Sequence, residues 1–148
     1  MGKRIGILTS GGDCAGLNAV IRAATLRAAQ EGWTVLGIRN GTEGLAGDPP
    51  LAEIVDPARC DTLMLRQGGT VLGTTNRGSP FQQAGRTDGA SPGVERLIAG
   101  WRALALDAMI AIGGDGSLAI LRHLAGIGGF PLIGIPKTID NDVAMTEA

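Results

Sequence analysis

Apolar residues along the chain follow two different spacings, and the two spacings predict different elements. Four short runs, at residues 3–9, 34–40, 107–113 and 130–136, each contain closely spaced aliphatic residues, mainly Ile, Leu, Val and Ala. Runs of this length and composition are typical of strands that are buried on both faces of a sheet. The chain is therefore predicted to contain a sheet with a buried interior.

Between the strands, apolar residues recur every three or four positions, which predicts helices with one buried face. The clearest helix is predicted over residues 17–32 and ends at Gly32, and others are predicted around residues 94–101 and 117–126. The predicted inner face of the first helix consists of Leu17, Val20, Ile21 and Ala24. A further short helix is predicted near residues 56–65.

Strands that alternate with amphipathic helices predict an α/β fold. We expect a parallel, Rossmann-like sheet that is sandwiched by helices on both faces, which is a three-layer αβα arrangement. The connections at residues 41–50 and 66–80 are rich in polar residues, glycine and proline, and they are predicted to be loops.

Composition narrows the class of protein. The chain has 148 residues, 44% of them hydrophobic, which suits a single domain with an aliphatic core. Its net charge is −1 and it has no basic tract, so neither nucleic acid nor a membrane is expected as a partner. Two cysteines without CxxC spacing and a single histidine argue against a zinc site and fit a cytoplasmic location. No apolar run is long enough to span a bilayer.

Three polar, glycine-rich clusters each follow the end of a predicted strand. They occupy residues 9–16, 113–117 and 136–142. Because ligands of open parallel sheets bind at the carboxyl ends of the strands, we expect these clusters to meet at one edge of the sheet.

The first cluster, TSGGDCAG, joins a strand to a helix. Gly11 and Gly16 have the glycine spacing of a P-loop, but Leu17 and Asn18 stand where that motif requires Lys and Ser or Thr. Free backbone N–H groups at the start of the helix would suit a phosphate group. A tight turn with no ligand remains the alternative interpretation.

The second cluster, GGDGS, again lies between a strand and a helix. Its glycines would let the backbone approach a ligand closely. Asp115 has two interpretations, as the N-cap of the following helix or as a ligand of Mg²⁺, which prefers one or two carboxylates together with phosphate oxygens and water.

The third cluster, PKTIDND, supplies carboxylates. If the segment is extended, Asp140 and Asp142 point the same way, together with Thr138. Phosphoryl transfer needs a carboxylate that takes the proton from an attacking hydroxyl, and this segment offers one. The alternative is a turn rich in Asp and Asn without a catalytic role.

Four motifs together resemble the N-terminal half of a 6-phosphofructokinase: KRIGILTSGGDCAGLNAVIR, GGTVLGTTNRG, IGGDGS and PKTIDND. Their order and spacing match across nearly the whole chain. The resemblance implies transfer of a phosphoryl group from ATP to the 1-hydroxyl of fructose 6-phosphate with Mg²⁺, a step of glycolysis that gives fructose 1,6-bisphosphate.

The resemblance also implies roles for individual residues on the donor side. Gly12 matches a glycine that binds the nucleotide phosphates, and Arg77 matches an arginine that contacts the donor's phosphates, with Asn76 as a rival for that position. Asp115 matches the carboxylate linked to magnesium. The donor-phosphate loop that the resemblance implies consists of Gly114, Asp115, Gly116 and Ser117.

On the acceptor side, Thr138, Ile139 and Asp140 match the segment that binds the sugar phosphate. Asp140 is then the general base, Thr138 lies beside it in the catalytic segment, and Asp142 is a supporting carboxylate.

Two positions bear on the choice of donor. Pyrophosphate users of the family typically carry Asp after GGD and Lys before TIDND, whereas many ATP users carry Gly at both places. Here the two residues are Gly116 and Lys137, a mixed pattern. An Asp in place of Gly116 would block and repel the α-phosphate, so Gly116 favours ATP, and pyrophosphate remains the alternative.

Members of the family resembled here run to about twice this length, and the second half supplies further sugar-phosphate contacts, some from a neighbouring subunit. We therefore interpret residues 1–148 as the N-terminal nucleotide- and phosphate-binding part of such an enzyme, with the C-terminal half absent. The complete enzyme is expected to be a homo-oligomer, a dimer or a tetramer. This chain alone is expected to be inactive, and a non-catalytic nucleotide-binding module is the alternative.

Overall fold

The structure, a computed structural model, describes residues 2–75 and 92–140. Its centre is a five-stranded sheet with the strand order β3-β2-β1-β4-β5. The strands are β1 (Arg4–Ser10), β2 (Thr34–Ile38), β3 (Ala52–Ile54), β4 (Ala108–Gly113) and β5 (Leu132–Pro136).

Helices connect the strands. They are α1 (Leu17–Gln30), α2 (Gly41–Leu45), α3 (Pro92–Ala103) and α4 (Asp115–Gly128), and two 3₁₀ turns occupy Pro57–Arg59 and Leu63–Arg66. In the part of the chain that the structure describes, none of the helices combines the length and the apolar character needed to cross a membrane.

Strand pairing confirms the predicted α/β fold and corrects one detail of it. β1 pairs in parallel with both β2 and β4, and β4 pairs in parallel with β5. β3, which was not predicted, pairs antiparallel with β2, so the sheet is mixed and not parallel at its β3 side. The region between residues 41 and 54 contains α2 and β3, both missed because elements of five and three residues hold too few apolar positions to reveal a period.

Two separate cores confirm the three-layer arrangement. Neighbouring strand residues point to opposite faces of the sheet, and Ile7 and Leu8 of β1 lie in different cores. The core around Ile7 includes Leu17 and Ile21 of α1, whereas the core around Leu8 includes residues of α2, α3 and α4. Both side chains are fully buried, and β1 is the middle strand of the sheet. The carboxyl end of β1 is therefore held by packing on both faces of the sheet.

Helix α1 buries a slightly different face from the predicted one. The helix is confirmed, and Gly32 follows its end with a positive φ of 69°. Val20 and Ala24 are only half-buried. The buried residues of α1 are Leu17, Asn18, Ile21, Thr25 and Ala28. Two polar residues therefore belong to the inner face.

β5 is less covered than the pattern predicted. Ile133, in its middle, is 61% exposed, although Ile133 is as apolar as the residues of β1. Helix α4 packs on β5 from one side, while α1 packs over β1 and β2 on the other face of the sheet. Burial on both faces is therefore confirmed for the central strands and is wrong for β5 within the described residues.

Candidate active site

The carboxyl ends of three neighbouring strands lie side by side. Ser10 at the end of β1 is in register with Gly113 at the end of β4, and Gly113 is in register with Pro136 at the end of β5. Each of the three polar clusters begins at one of these strand ends. The structure thus brings the start of each cluster to the same edge of the sheet.

Contacts between the clusters are close enough to limit what fits there. A β-carbon placed on Gly12 would lie 3.0 Å from Cδ1 of Ile139, and one placed on Gly11 would lie 3.4 Å from Oγ of Ser117. The ammonium of Lys137 donates a hydrogen bond to the carbonyl oxygen of Gly12. The glycine turn after β1 therefore lies against residues of both other clusters.

Both helices that follow the first two clusters begin at a glycine. Gly16 is the N-cap of α1, with a left-handed φ of 91°, and Gly114 is the N-cap of α4, and neither N-cap has a side-chain hydrogen bond. Helices of this kind leave backbone N–H groups of their first turn available to another acceptor. Two such N-termini at one edge make it suitable for anionic oxygens.

Asp115 is the first residue of α4, so its interpretation as the N-cap is wrong. Asp115 and Gly116 are both exposed at the edge formed by the carboxyl ends of the strands. Ser117 is half-buried. Residues 2–75 and 92–140 contain no cluster of three or more His, Cys, Asp or Glu side chains that could hold a metal ion. A magnesium ion at Asp115 would therefore depend on phosphate oxygens and water for its remaining ligands, which is the coordination that Mg²⁺ usually has beside a nucleotide.

The third cluster is not extended to its end. β5 ends at Pro136, and the chain bends at Ile139 and Asp140. The extended conformation on which the alignment of Thr138 with Asp140 depends is therefore not continued through Asp140. Thr138 is half-buried and Asp140 is exposed. Asp142 lies outside the described residues, so its expected role stays a prediction.

A fourth segment, residues 67–75, also contacts this site, although the three strand-end clusters did not predict its contacts with the turn after β1. The hydroxyl of Thr9 donates to the carbonyl of Gly73 at 2.8 Å, and the hydroxyl of Thr74 donates to the carbonyl of Gly11 at 2.6 Å. The N–H of Gly11 donates to the carbonyl of Thr75 at 3.3 Å. Arg77 and its rival Asn76 follow this segment in sequence and lie outside the described residues.

Asn18 of α1 also binds the segment at residues 67–75, through two hydrogen bonds. Its side-chain amide donates to the carbonyl of Gln67 at 2.9 Å and accepts from the N–H of Val71 at 2.8 Å. Asn18 is only 2% exposed, so both backbone groups depend on it in a place that water reaches poorly. The available sequence signal was an asparagine next to Leu17, at the start of the apolar face of the predicted helix.

Replacing Asn18 by Leu should therefore destabilise the chain. Leu has a similar size but leaves the Val71 N–H and the Gln67 carbonyl without their partner, at a cost of about 1–3 kcal/mol each. The midpoint of urea unfolding, followed by circular dichroism, measures the loss. Gln30→Leu, at an exposed position of the same helix, is the control and should leave the midpoint nearly unchanged. Equal midpoints for the two variants would contradict the bridging role of Asn18.

Comparisons with known proteins agree with this arrangement. A model of the family described as Phosphofructokinase matches residues 4–148. The protein named ATP-dependent 6-phosphofructokinase 1 from Synechocystis is 56% identical over 146 residues, which are 98% of this chain and 40% of that protein. Phosphofructokinase from Pichia pastoris, solved in the T-state, superimposes with a TM-score of 0.81 at 27% identity, over 100% of this chain and 16% of that one.

A structure named pyrophosphate-dependent phosphofructokinase, from Marinobacter aquaeolei, is also similar. Its TM-score is 0.71 at 25% identity, over 97% of this chain and 35% of that one. The chain spans about 40% of the length of the curated relatives it matches. Since the family model covers nearly every residue, the chain belongs to the phosphofructokinase family.

Proposed function

We propose that this chain contributes the donor-binding edge of an ATP-dependent 6-phosphofructokinase, which transfers the γ-phosphoryl group of ATP to the 1-hydroxyl of fructose 6-phosphate. The observation that carries the proposal is the meeting of three strand ends at one edge, where Gly12 lies against Ile139 and Lys137. A donor bound by the first two clusters would then lie next to the acceptor segment. Proximity of this kind removes much of the entropic barrier to a transfer between two substrates.

The donor's phosphates are proposed to lie between the two glycine turns. Gly12 and the loop from Gly114 to Ser117 would bind them through backbone N–H groups, because the two following helices begin without side-chain caps. Arg77 is proposed to add a positive charge to this side. When bound at Asp115, Mg²⁺ would neutralise charge on the transferring phosphate oxygens.

The acceptor is proposed to bind along Thr138, Ile139 and Asp140. The carboxylate of Asp140 would accept the proton of the 1-hydroxyl while the oxygen attacks the γ-phosphorus and ADP leaves. Its exposure suits this role, because an exposed carboxylate is accessible to a sugar. Asp142 is proposed to support it as a second carboxylate.

ATP is the proposed donor, since curated relatives at 44–56% identity are named ATP-dependent. The space around Gly116 supports this choice, because no atom lies within 4 Å of a β-carbon placed there. A nucleotide's α-phosphate could therefore approach the start of α4. For the complete enzyme we propose a cytoplasmic homo-oligomer, a dimer or a tetramer.

A coupled assay of the complete enzyme with ATP, Mg²⁺ and fructose 6-phosphate tests the proposal. We expect ADP to form with fructose 6-phosphate and not with 1-deoxyfructose 6-phosphate, which lacks the acceptor hydroxyl. Equal ADP formation with the two sugars would mean that the 1-hydroxyl is not the acceptor. Turnover with pyrophosphate and none with ATP would replace the proposed donor.

A further inference from the structure

Lys137 occupies an unusual position at the edge of the sheet. Its backbone N–H donates to the carbonyl of Gly113 at 3.0 Å, which continues the pairing of β5 with β4 by one residue. Its side chain reaches in the other direction, to the carbonyl of Gly12 after β1. Lys137 thus connects the end of β5, where its backbone lies, to the turn after β1, and its side chain crosses the end of β4.

The span explains why a long side chain is needed. Neighbouring strands lie about 4.8 Å apart, so β1 and β5 are separated by about 10 Å across β4. Lysine carries its ammonium on a flexible four-carbon stem. Two further distances agree with the contact, since β-carbons placed on Gly11 and Gly12 would lie 3.7 Å and 3.8 Å from Nζ of Lys137. The ammonium therefore lies close to both glycines of the turn, and not only to the carbonyl oxygen of Gly12.

The bond to Gly12 also has a direction. In a trans peptide the carbonyl of one residue and the N–H of the next point to opposite sides. The Gly12 carbonyl points toward the Lys137 ammonium, so the Asp13 N–H of the same peptide points away from that ammonium. Gly11 is held separately by Thr74 and Thr75, so the turn is fixed from two sides.

We propose that Lys137 is a positioning residue that orients the glycine turn of the donor site, and that its charge is committed to this turn and does not select between ATP and pyrophosphate. The proposal rests on the proposed function for the identity of the donor. It assigns to Lys137 a role that acts through Gly12 and needs no contact with the donor. The same ammonium in contact with a donor phosphate would be the competing arrangement.

Hydrogen exchange of the ligand-free complete enzyme tests the turn without reference to activity. In Lys137→Met, peptides covering residues 9–16 should exchange about threefold faster or more, because their local opening becomes easier. Lys137→Arg, which can still donate to the Gly12 carbonyl, should restore slow exchange. Lys3→Met, the same substitution at the only other lysine of the sequence, is the control and should leave residues 9–16 unchanged.

Kinetics then separate positioning from donor choice. Lys137→Met should raise KM for ATP about tenfold with kcat changed much less, and Lys137→Arg should recover most of the affinity. The ratio of kcat/KM for pyrophosphate to that for ATP should stay unchanged in Lys137→Met. Unaltered exchange of residues 9–16 in Lys137→Met would overturn the proposal, and so would a shift of that ratio toward either donor.

Hydrogen exchange and kinetics also allow the proposal about Lys137 to be tested separately from the proposed function. If the enzyme has no turnover with either donor, the proposed function fails while the exchange experiment still tests the contact between Lys137 and Gly12. Exchange of peptides covering β2 serves as the check on global folding. If Lys137→Met unfolds, the milder Lys137→Gln replaces it, with the same expected acceleration confined to residues 9–16.

Discussion

Asp140→Asn in the complete enzyme is expected to lower kcat by about 10²- to 10⁴-fold, the contribution typical of a general base. The substitution keeps the size of the side chain and removes the group that is proposed to take the proton of the acceptor hydroxyl. Binding of MgATP, measured by calorimetry, should change by less than about twofold, since Asp140 is proposed to act on the acceptor and not on the donor. The combination of a lost kcat and a retained donor affinity identifies the role.

Stability is not expected to explain the loss. Asp140 is exposed, and substitutions at exposed positions usually change the free energy of unfolding by less than about 0.5 kcal/mol. Glu31→Gln is the matched control, because it removes an exposed carboxylate at the far end of α1, where Glu31 pairs with Arg27. That variant should keep full kcat. If Asp140→Asn retained kcat, the base would have to be another residue; if it unfolded, Asp140 would be a structural turn residue.

The sequence predicted the fold because its signals are local. Apolar runs and three- to four-residue periods mark β1, β4 and α4 within a few residues of their observed bounds. The order of strands and helices then restricts how a parallel sheet can be connected. Because ligands of parallel sheets bind at the carboxyl ends of the strands, this order also predicts the edge at which the three polar clusters meet, without information about side-chain contacts.

Other features of the site depend on contacts between distant parts of the chain. Asn18 bonds residues 49 and 53 positions away, and Lys137 bonds one 125 positions away. No local pattern encodes such partners, although a polar residue on an apolar helix face indicates that one exists. The sequence also left two alternatives open after Pro136, an extended segment and a turn rich in Asp and Asn, and the structure has a bend at Ile139 and Asp140.

Lys137 illustrates the difference between residue identity and geometry. In sequence, Lys137 and Gly116 form the mixed pattern that bears on the choice of donor. In the structure the ammonium of Lys137 is bound to the Gly12 carbonyl, so the charge has a partner within the protein. At Gly116, by contrast, no atom lies within 4 Å of an added β-carbon, so the space that an Asp side chain would enter is open.

Gly116→Asp should therefore weaken use of ATP strongly. Two like charges about 4 Å apart repel by about 4 kcal/mol at the effective dielectric of a protein surface, before further screening by salt. Allowing for that screening, kcat/KM for ATP should fall on the order of 100-fold, and a coupled assay over a range of ATP concentrations measures it. The chain should still fold, because the β-carbon meets no atom within 4 Å and a carboxylate is favourable in the first turn of a helix.

Two further variants separate charge from volume and from the helix itself. Gly116→Asn fills nearly the same space without a charge, so it should lose clearly less ATP activity than Gly116→Asp. Gly126→Asp places the same carboxylate at an exposed position of α4 that also has no atom within 4 Å, and it should keep normal kinetics. Equal losses in the Asn and Asp variants would show that volume and not repulsion matters at Gly116. Full ATP activity in Gly116→Asp would remove the α-phosphate from the start of α4, and with it the physical argument from Gly116 for ATP as the donor.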